Sequence, residues 1–279
     1  MIFILLFIIG IMLCGGKMKN TKIFLLILVI FLVVFAGIKI FVYSKKTNLE
    51  STKLTLLTEE YPPISYKGAD GKATGIATDV VTEIMKRLGV NYEIQILKWD
   101  DAYSKALKDP NVVLFSTEKT KERENLFNWV GPLGSNKTYF YSRNDSNLNI
   151  TNLNEAKAVS KIATCSSWFT EQYLKDQGFA NLESYQDPKD DIKKLIGKEV
   201  DLSVFTDMTV GNLVKDAGYS LSDIKPQYKL METQFYIAFS KGTPENITSD
   251  WQKTFDEIKK DGTLTKIYQK YTPNLEPPK

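Results

Sequence analysis

The chain has 279 residues, of which 43% are hydrophobic, 12% aromatic and 25% charged, which excludes a disordered or low-complexity protein. It contains no histidine, and this removes the usual general base, the Ser-His and Cys-His nucleophile pairs and the commonest zinc ligand. The formal charge of +3 is uneven: residues 1–46 hold six lysines and no acid, leaving 30 basic against 33 acidic residues beyond them, too acidic a body to grip nucleic acid.

Residues 23–38 form an uninterrupted apolar run of 16. With Lys39 read as a snorkelling side chain the run extends to Tyr43 and approaches the ~20 residues that span a bilayer. Met18, Lys19, Asn20, Thr21 and Lys22 make a short basic segment ahead of it, suited to a translation start at Met18. Residues 1–46 are therefore expected to be a hydrophobic leader, a signal or a membrane anchor, with retention favoured over cleavage. Three lysines on each side leave the positive-inside count even. Cys14 lies in this leader, so Cys165 is expected to be an unpaired thiol. A polar linker at 47–52 follows, and the rest is expected outside the membrane as a monomer.

From residue 53 short β-rich runs alternate with amphipathic stretches, the pattern of an α/β fold. Residues 54–58 read as a strand ending in the turn 59–63. Glu59 and Glu60 are adjacent on extended chain and face opposite ways, which removes them as a catalytic pair. Thr78 is placed to cap a helix whose Val80, Val81, Ile84, Met85 and Leu88 form one apolar stripe, closed by Gly89. Strands are predicted at 92–97 and 112–116, with a helix at 100–108 between them. The second half reads as strand 161–164, helices 167–175 and 190–196, strand 202–205 and a helix from Asp207 to about 215. Helices at 247–260 and 264–271 meet at Asp261-Gly262, and the first sets Trp251, Phe255 and Ile258 on one face.

Within this pattern stand Tyr61-Pro62-Pro63-Ile64-Ser65-Tyr66, Asp70-Gly71-Lys72-Ala73-Thr74-Gly75, Asp79 and Arg87-Leu88-Gly89. Trp99 with Leu107 follows, then Thr120-Lys121-Glu122-Arg123 with Phe127 and Gly131-Pro132, then Lys198-Glu199-Val200-Asp201. Residues 235–242 and 261–268 close the series. In order and spacing these strings resemble the family-3 extracellular solute-binding proteins, the polar amino-acid binders of ABC importers, over residues 53–272. The resemblance implies a two-lobe type II periplasmic-binding-protein clamshell. Lobe 1 would be 53–140 plus 236–279 and lobe 2 would be 141–235, with crossings near 139–143 and 232–235.

A zwitterionic amino acid needs a cation and N–H donors for its carboxylate, an anion for its ammonium, and apolar walls. The resemblance gives the carboxylate to Arg123, whose permanently charged planar guanidinium binds it bidentately. Outside the motif, an arginine between Glu122 and Glu124 reads as a solvated turn. Ser116 and Thr120 are the adjoining hydroxyl candidates, and Tyr61 is the stacking wall, ahead of Tyr66 and Trp99. Glu118 stands where the family carries a small or hydroxyl side chain, and two roles stay open for it: partner of Arg123 or reader of a basic ligand group. Ser166 and Ser167 occupy a strand-to-helix turn whose N–H groups face ligand in the family, with Cys165 replacing a customary glycine. Asp207 matches the lobe-2 aspartate that takes the ammonium, although its spacing from Asp201 is one residue long and a helix cap is its ordinary role.

The function these features imply is capture of a small polar solute, an amino acid, for delivery to an ABC permease. No cofactor, metal or catalytic residue is expected. Two alternatives stay open: a sensing module that contacts a separate membrane partner, and a dehydratase-type enzyme on the same scaffold. The missing histidine and the lack of an acid/base pair at the matched positions count against the enzyme.

Overall fold

The computed structural model of the protein describes residues 28, 30–37, 52–272 and 277. The chain divides into two units, 1–51 and 52–279. In the first, residues 28 and 30–37 are helical and exposed. The rest of the predicted leader, Cys14 included, lies outside the described residues, among which no helix is long and apolar enough to cross a membrane.

The second unit carries β1 (Thr55–Thr58), β2 (Tyr66–Lys67), β3 (Ala73–Thr74), β4 (Ile94–Ile96), β5 (Val112–Glu118), β6 (Phe127–Arg143), β7 (Ile162–Cys165), β8 (Leu182–Tyr185), β9 (Leu202–Thr206) and β10 (Ile224–Ser240); β2 and β3 pair with each other, and the others form one eight-stranded sheet with order β4-β1-β5-β10-β6-β9-β7-β8. Strands β1, β4 and β5 pair in parallel. All seven residues of β5 are buried, as a strand covered on both faces requires. A second parallel block joins β7 to β8 and β9. Between the blocks run two 17-residue strands, β6 and β10, antiparallel to each other. One end of β10 pairs with β5 and the far end of β6 pairs with β9. The two lobes therefore share two continuous strands, the chain crossings of a clamshell.

Each lobe has its own apolar core. One cluster gathers β1, β5 and the C-terminal helices, with Leu56, Phe115, Trp251 and Phe255 fully buried. Two further clusters fill the other lobe, around Phe205 and Ile192 and around Phe140 and Leu174. Helix α1 (Ile76–Leu88) lays Val80, Val81, Ile84 and Met85 on the first core, and Gly89 closes it in the left-handed conformation at φ 70°. Its start departs from expectation. The N-cap is Gly75 at φ 115°, where a Cβ would stand 2.6 Å from the Ile64 carbonyl oxygen, while Thr78 lies buried inside the first turn. The 245–260 and 263–271 helices cover the same core, and Trp251, Phe255 and Ile258 share the buried face that their spacing predicts.

Candidate functional site

The cleft is framed on one side by the ends of β1 and β5 and on the other by the turn after β7. Beyond Thr58 the chain leaves β1 with Glu59 turned in, 7% exposed, and Glu60 turned out to accept from the Lys67 N–H at 3.1 Å. Tyr61 follows, 2% exposed, with its Oη 2.9 Å from Thr206 Oγ1 at the end of β9. Ser116 forms a bulge in β5, at φ 65°, where the register against β10 shifts. The bulge is followed by Glu118, 4% exposed, which accepts from Asn136 Nδ2 at 3.1 Å.

Arg123 follows the turn after β5, its N–H bonded to the Thr120 carbonyl at 3.2 Å. The guanidinium lies between the rings of Trp99 and Tyr103, 5.0 and 4.8 Å from their centroids, and the residue is 1% exposed. It reaches across the cleft: Nη2 donates to the Ser167 carbonyl at 3.1 Å and Nε to Gln172 Oε1 at 3.2 Å, while Nη1 has no hydrogen-bond partner among the described residues. Trp99 Nε1 donates to the same Ser167 carbonyl at 2.9 Å.

Lobe 2 also sends Trp168 into lobe 1. Its indole N–H donates to Glu59 Oε2 at 3.1 Å, its ring meets Tyr61 edge-on at 5.1 Å, and the residue packs within the lobe-1 core. What remains among Glu59, Tyr61, Glu118, Arg123, Trp168 and Phe169 is a chamber of about 10 Å³, barely room for one water. Beyond Trp168 opens a cavity of about 520 Å³, which shares Glu59, Trp99 and Trp168 with the chamber and continues to Lys98, Asp187 and Lys189.

Burial sets the electrostatics. It pushes the Glu118 carboxyl up to about 7 against the opposing pull of Arg123 and Asn136, and raises Glu59 well above the usual range, with the Glu118 charge adding to the rise. Arg123 is lowered by the same desolvation, which its acidic neighbours oppose. A low-dielectric pocket holding one guanidinium and two carboxyls is a place where a charged solute gains more than it would in water.

The sequence profile of the bacterial extracellular solute-binding proteins, family 3, matches residues 54–274. The chain belongs to this family. Among curated relatives, the L-cystine-binding protein TcyA of Bacillus subtilis (strain 168) is 27% identical over 222 residues, covering 78% of this chain and 80% of that protein. The L-cystine-binding protein TcyJ of Escherichia coli (strain K12) is 24% identical over 229 residues, covering 81% and 84%. Among solved structures, a histidine kinase sensor domain with similarity to periplasmic binding proteins superposes with a TM-score of 0.73 at 18% identity, covering 81% of this chain and all of that one. A likeness at that identity speaks to the fold. The family is one of solute binders outside the cell, not of catalysts.

Of the residues singled out in this family member's sequence, Tyr61, Glu118 and Arg123 come together around the small chamber. Ser116 turns its hydroxyl into lobe 1, 2.9 Å from Ser65 Oγ. Thr120 supports the turn through its carbonyl. Ser166 reaches Asp100 Oδ2 at 3.4 Å, and its N–H is taken by the Tyr185 carbonyl. Ser167 departs from the expected N–H geometry: at φ 58° its N–H bonds Glu171 Oε2 at 2.8 Å, and its carbonyl faces the cleft instead. The left-handed residue in this turn is thus Ser167, while the buried free thiol Cys165 has no positive φ to strain it.

Asp207 is not brought into the cluster. It is exposed, and its Oδ1 accepts from the Lys137 N–H at 3.0 Å. Thr206, the last residue of β9, is the one that meets Tyr61, and because extended chain turns successive side chains to opposite sides, Asp207 one residue past the strand end faces away from it. Trp99, ranked behind Tyr61 as a wall, lies against the Arg123 guanidinium, and Glu59, Gln172 and Trp168 join the site beyond what the sequence motifs indicate. The opposite facing of Glu59 and Glu60 pointed to one buried carboxylate, but the contacts with Gln172 and Trp168 link positions 49 and 109 residues apart and leave no local signal.

Proposed function

We propose that the chain captures an amino acid or closely similar small polar solute outside the membrane and delivers it to the permease of an ABC importer. Arg123 carries the reading. A guanidinium withdrawn from water, fixed between two aromatic rings and bonded across the cleft, with Nη1 still without a hydrogen-bond partner among the described residues, suits an α-carboxylate as its ligand. The cystine-binding relatives support an amino-acid ligand, and the adjoining cavity of about 520 Å³ is of a size that takes a small ligand's side chain. Entry has to part Trp168 from Glu59 and Tyr61, and reclosure on the solute gives the permease a joined pair of lobes to recognise.

In this reading the lobes meet where β6 and β10 pass from the β5 side to the β9 side, near 134–138 and 231–235, earlier on β6 than the 139–143 expected from the sequence because Phe140 and Tyr141 already pack in the second lobe; the leader holds the body at the outer membrane face, and the working form is a non-catalytic monomer. A thermal-shift screen of the twenty amino acids, L-cystine and small organic acids tests it. At least one amino acid should raise Tm more than its deaminated analogue does, and the same solute should be recovered chemically unchanged. A screen in which no amino acid raises Tm, or one in which the bound solute is converted, contradicts it.

A further inference from the structure

The cleft holds more acidic than basic side chains, and the surplus lies on lobe 1. Glu59 and Glu118 are both more than nine-tenths buried and line the same chamber as Arg123. The donors that reach them are neutral: the Trp168 indole for Glu59 and the Asn136 amide for Glu118. A neutral donor satisfies a lone pair but leaves a buried charge without a counter-charge. Arg123 directs its bonds to Ser167 and Gln172, also uncharged. From lobe 2 the end of β9 offers the Thr206 hydroxyl, since Asp207 turns its carboxylate to the Lys137 N–H outside the cleft.

We propose that Glu59 and Glu118 of lobe 1 read the ligand's cationic groups, and that their joint charge selects a solute of net charge +1 over an isosteric zwitterion. This rests on the amino-acid reading of the site. With both carboxylates ionised and Arg123 cationic, the chamber is one negative charge in excess, so a basic amino acid brings it to neutrality. A zwitterion leaves that excess in place and is best accommodated when one of the two carboxyls keeps a proton. The larger cavity extends the same preference: Glu59 lines it, Glu60 and Asp216 add acid, Asp187 is paired with Lys189 at 3.5 Å, and Lys98 donates to Gln186. Inside the chamber Glu59 faces Glu118 and Arg123, with the Asp100 charge acting on it more weakly from outside the lining, while Glu118 faces Arg123 and Asn136.

Protonation follows from the charge count. Because burial raises both carboxyls, mild acid favours their neutral forms, and a net +1 ligand must displace the proton that a zwitterion leaves in place. Preference for the cation should therefore grow with pH. The test is calorimetry on the full-length chain with L-arginine and its near-isostere L-citrulline, with L-lysine and L-glutamine as a second pair, and with agmatine, which lacks the carboxylate. At pH 8 the cationic member of each pair should bind on the order of tenfold tighter, a difference of about 1.4 kcal/mol. The ratio should narrow at pH 6 and fall within about twofold in Glu59→Gln/Glu118→Gln. Citrulline or glutamine binding as tightly as its cationic partner in the wild type overturns the inference and leaves the amino-acid reading intact. Agmatine, a dication without a carboxylate, binding where no amino acid does overturns both the amino-acid reading and the selection of a net +1 solute, and no binding by any of the five overturns the charge selection while the full amino-acid screen decides the amino-acid reading. The wild-type ratios decide the matter even if the double variant fails to fold.

Discussion

Replacing Glu118 with glutamine should flatten the pH dependence of stability above pH 5. Glu118 is 4% exposed, and burial pushes its carboxyl from 4.5 up to about 7 despite the opposing attraction of Arg123 and the Asn136 amide. A carboxyl raised by folding binds its proton more tightly in the folded state than in the unfolded one. Its stabilising contribution is therefore complete below about pH 4.5 and is lost as the pH rises through about 7. At 1.36 kcal/mol per pH unit the interval amounts to about 3 kcal/mol. Glutamine keeps the shape and an acceptor for Asn136 but carries no charge. Urea unfolding at pH 4 and pH 8, followed by tryptophan fluorescence, should show the wild type losing about 3 kcal/mol more than Glu118→Gln, or roughly 6–12 °C in Tm for a body of this size. Parallel pH profiles in the two proteins, or a larger loss in the variant, would refute the assignment of a desolvated carboxyl to this position.

Arg123→Lys keeps a positive charge but gives up the fork that spans Ser167 and Gln172, so calorimetry should find ligand affinity lower by on the order of 2–5 kcal/mol, and an unchanged Kd would remove Arg123 from the site. Asp207→Ala, at an exposed position bonded to the Lys137 N–H, should leave affinity within about twofold; a loss as large as that at Arg123 would return Asp207 to the cleft. Trp168 is the tryptophan whose indole joins the lobes through Glu59, so Trp168→Phe should abolish most of the ligand-induced change in emission. Persistence of the full change would mean that ligand entry leaves Trp168 in place.

The α/β alternation, the helix closed by Gly89 and the C-terminal helices were legible because each buries one face at a fixed period, as Trp251, Phe255 and Ile258 do. The two long crossing strands were not. Residues 127–143 include Gly131-Pro132 and Gly134, breakers in isolation, yet Gly134 is where the Phe235 ring and Tyr268 Oη pack against bare backbone. Register shifts near Lys229 and Phe235 further interrupt the two-residue alternation that would mark 224–240 as one strand. At the site, Arg123 was legible through its local motif. Asp207 shows how a single position past a strand end decides whether a carboxylate enters the cleft, and the Trp168–Glu59 contact exists only once the lobes meet.

Arg123 is proposed to hold the carboxylate of the ligand between the lobes. A crystal structure of the full chain with the tightest-binding solute from the screen tests it most directly. It should place the ligand's carboxylate about 3 Å from the Arg123 guanidinium, with the Trp168 indole parted from Glu59 and a ligand cation in its place. Ligand found elsewhere, with Arg123 still bonded only to Ser167 and Gln172 and Trp168 still on Glu59, would contradict it.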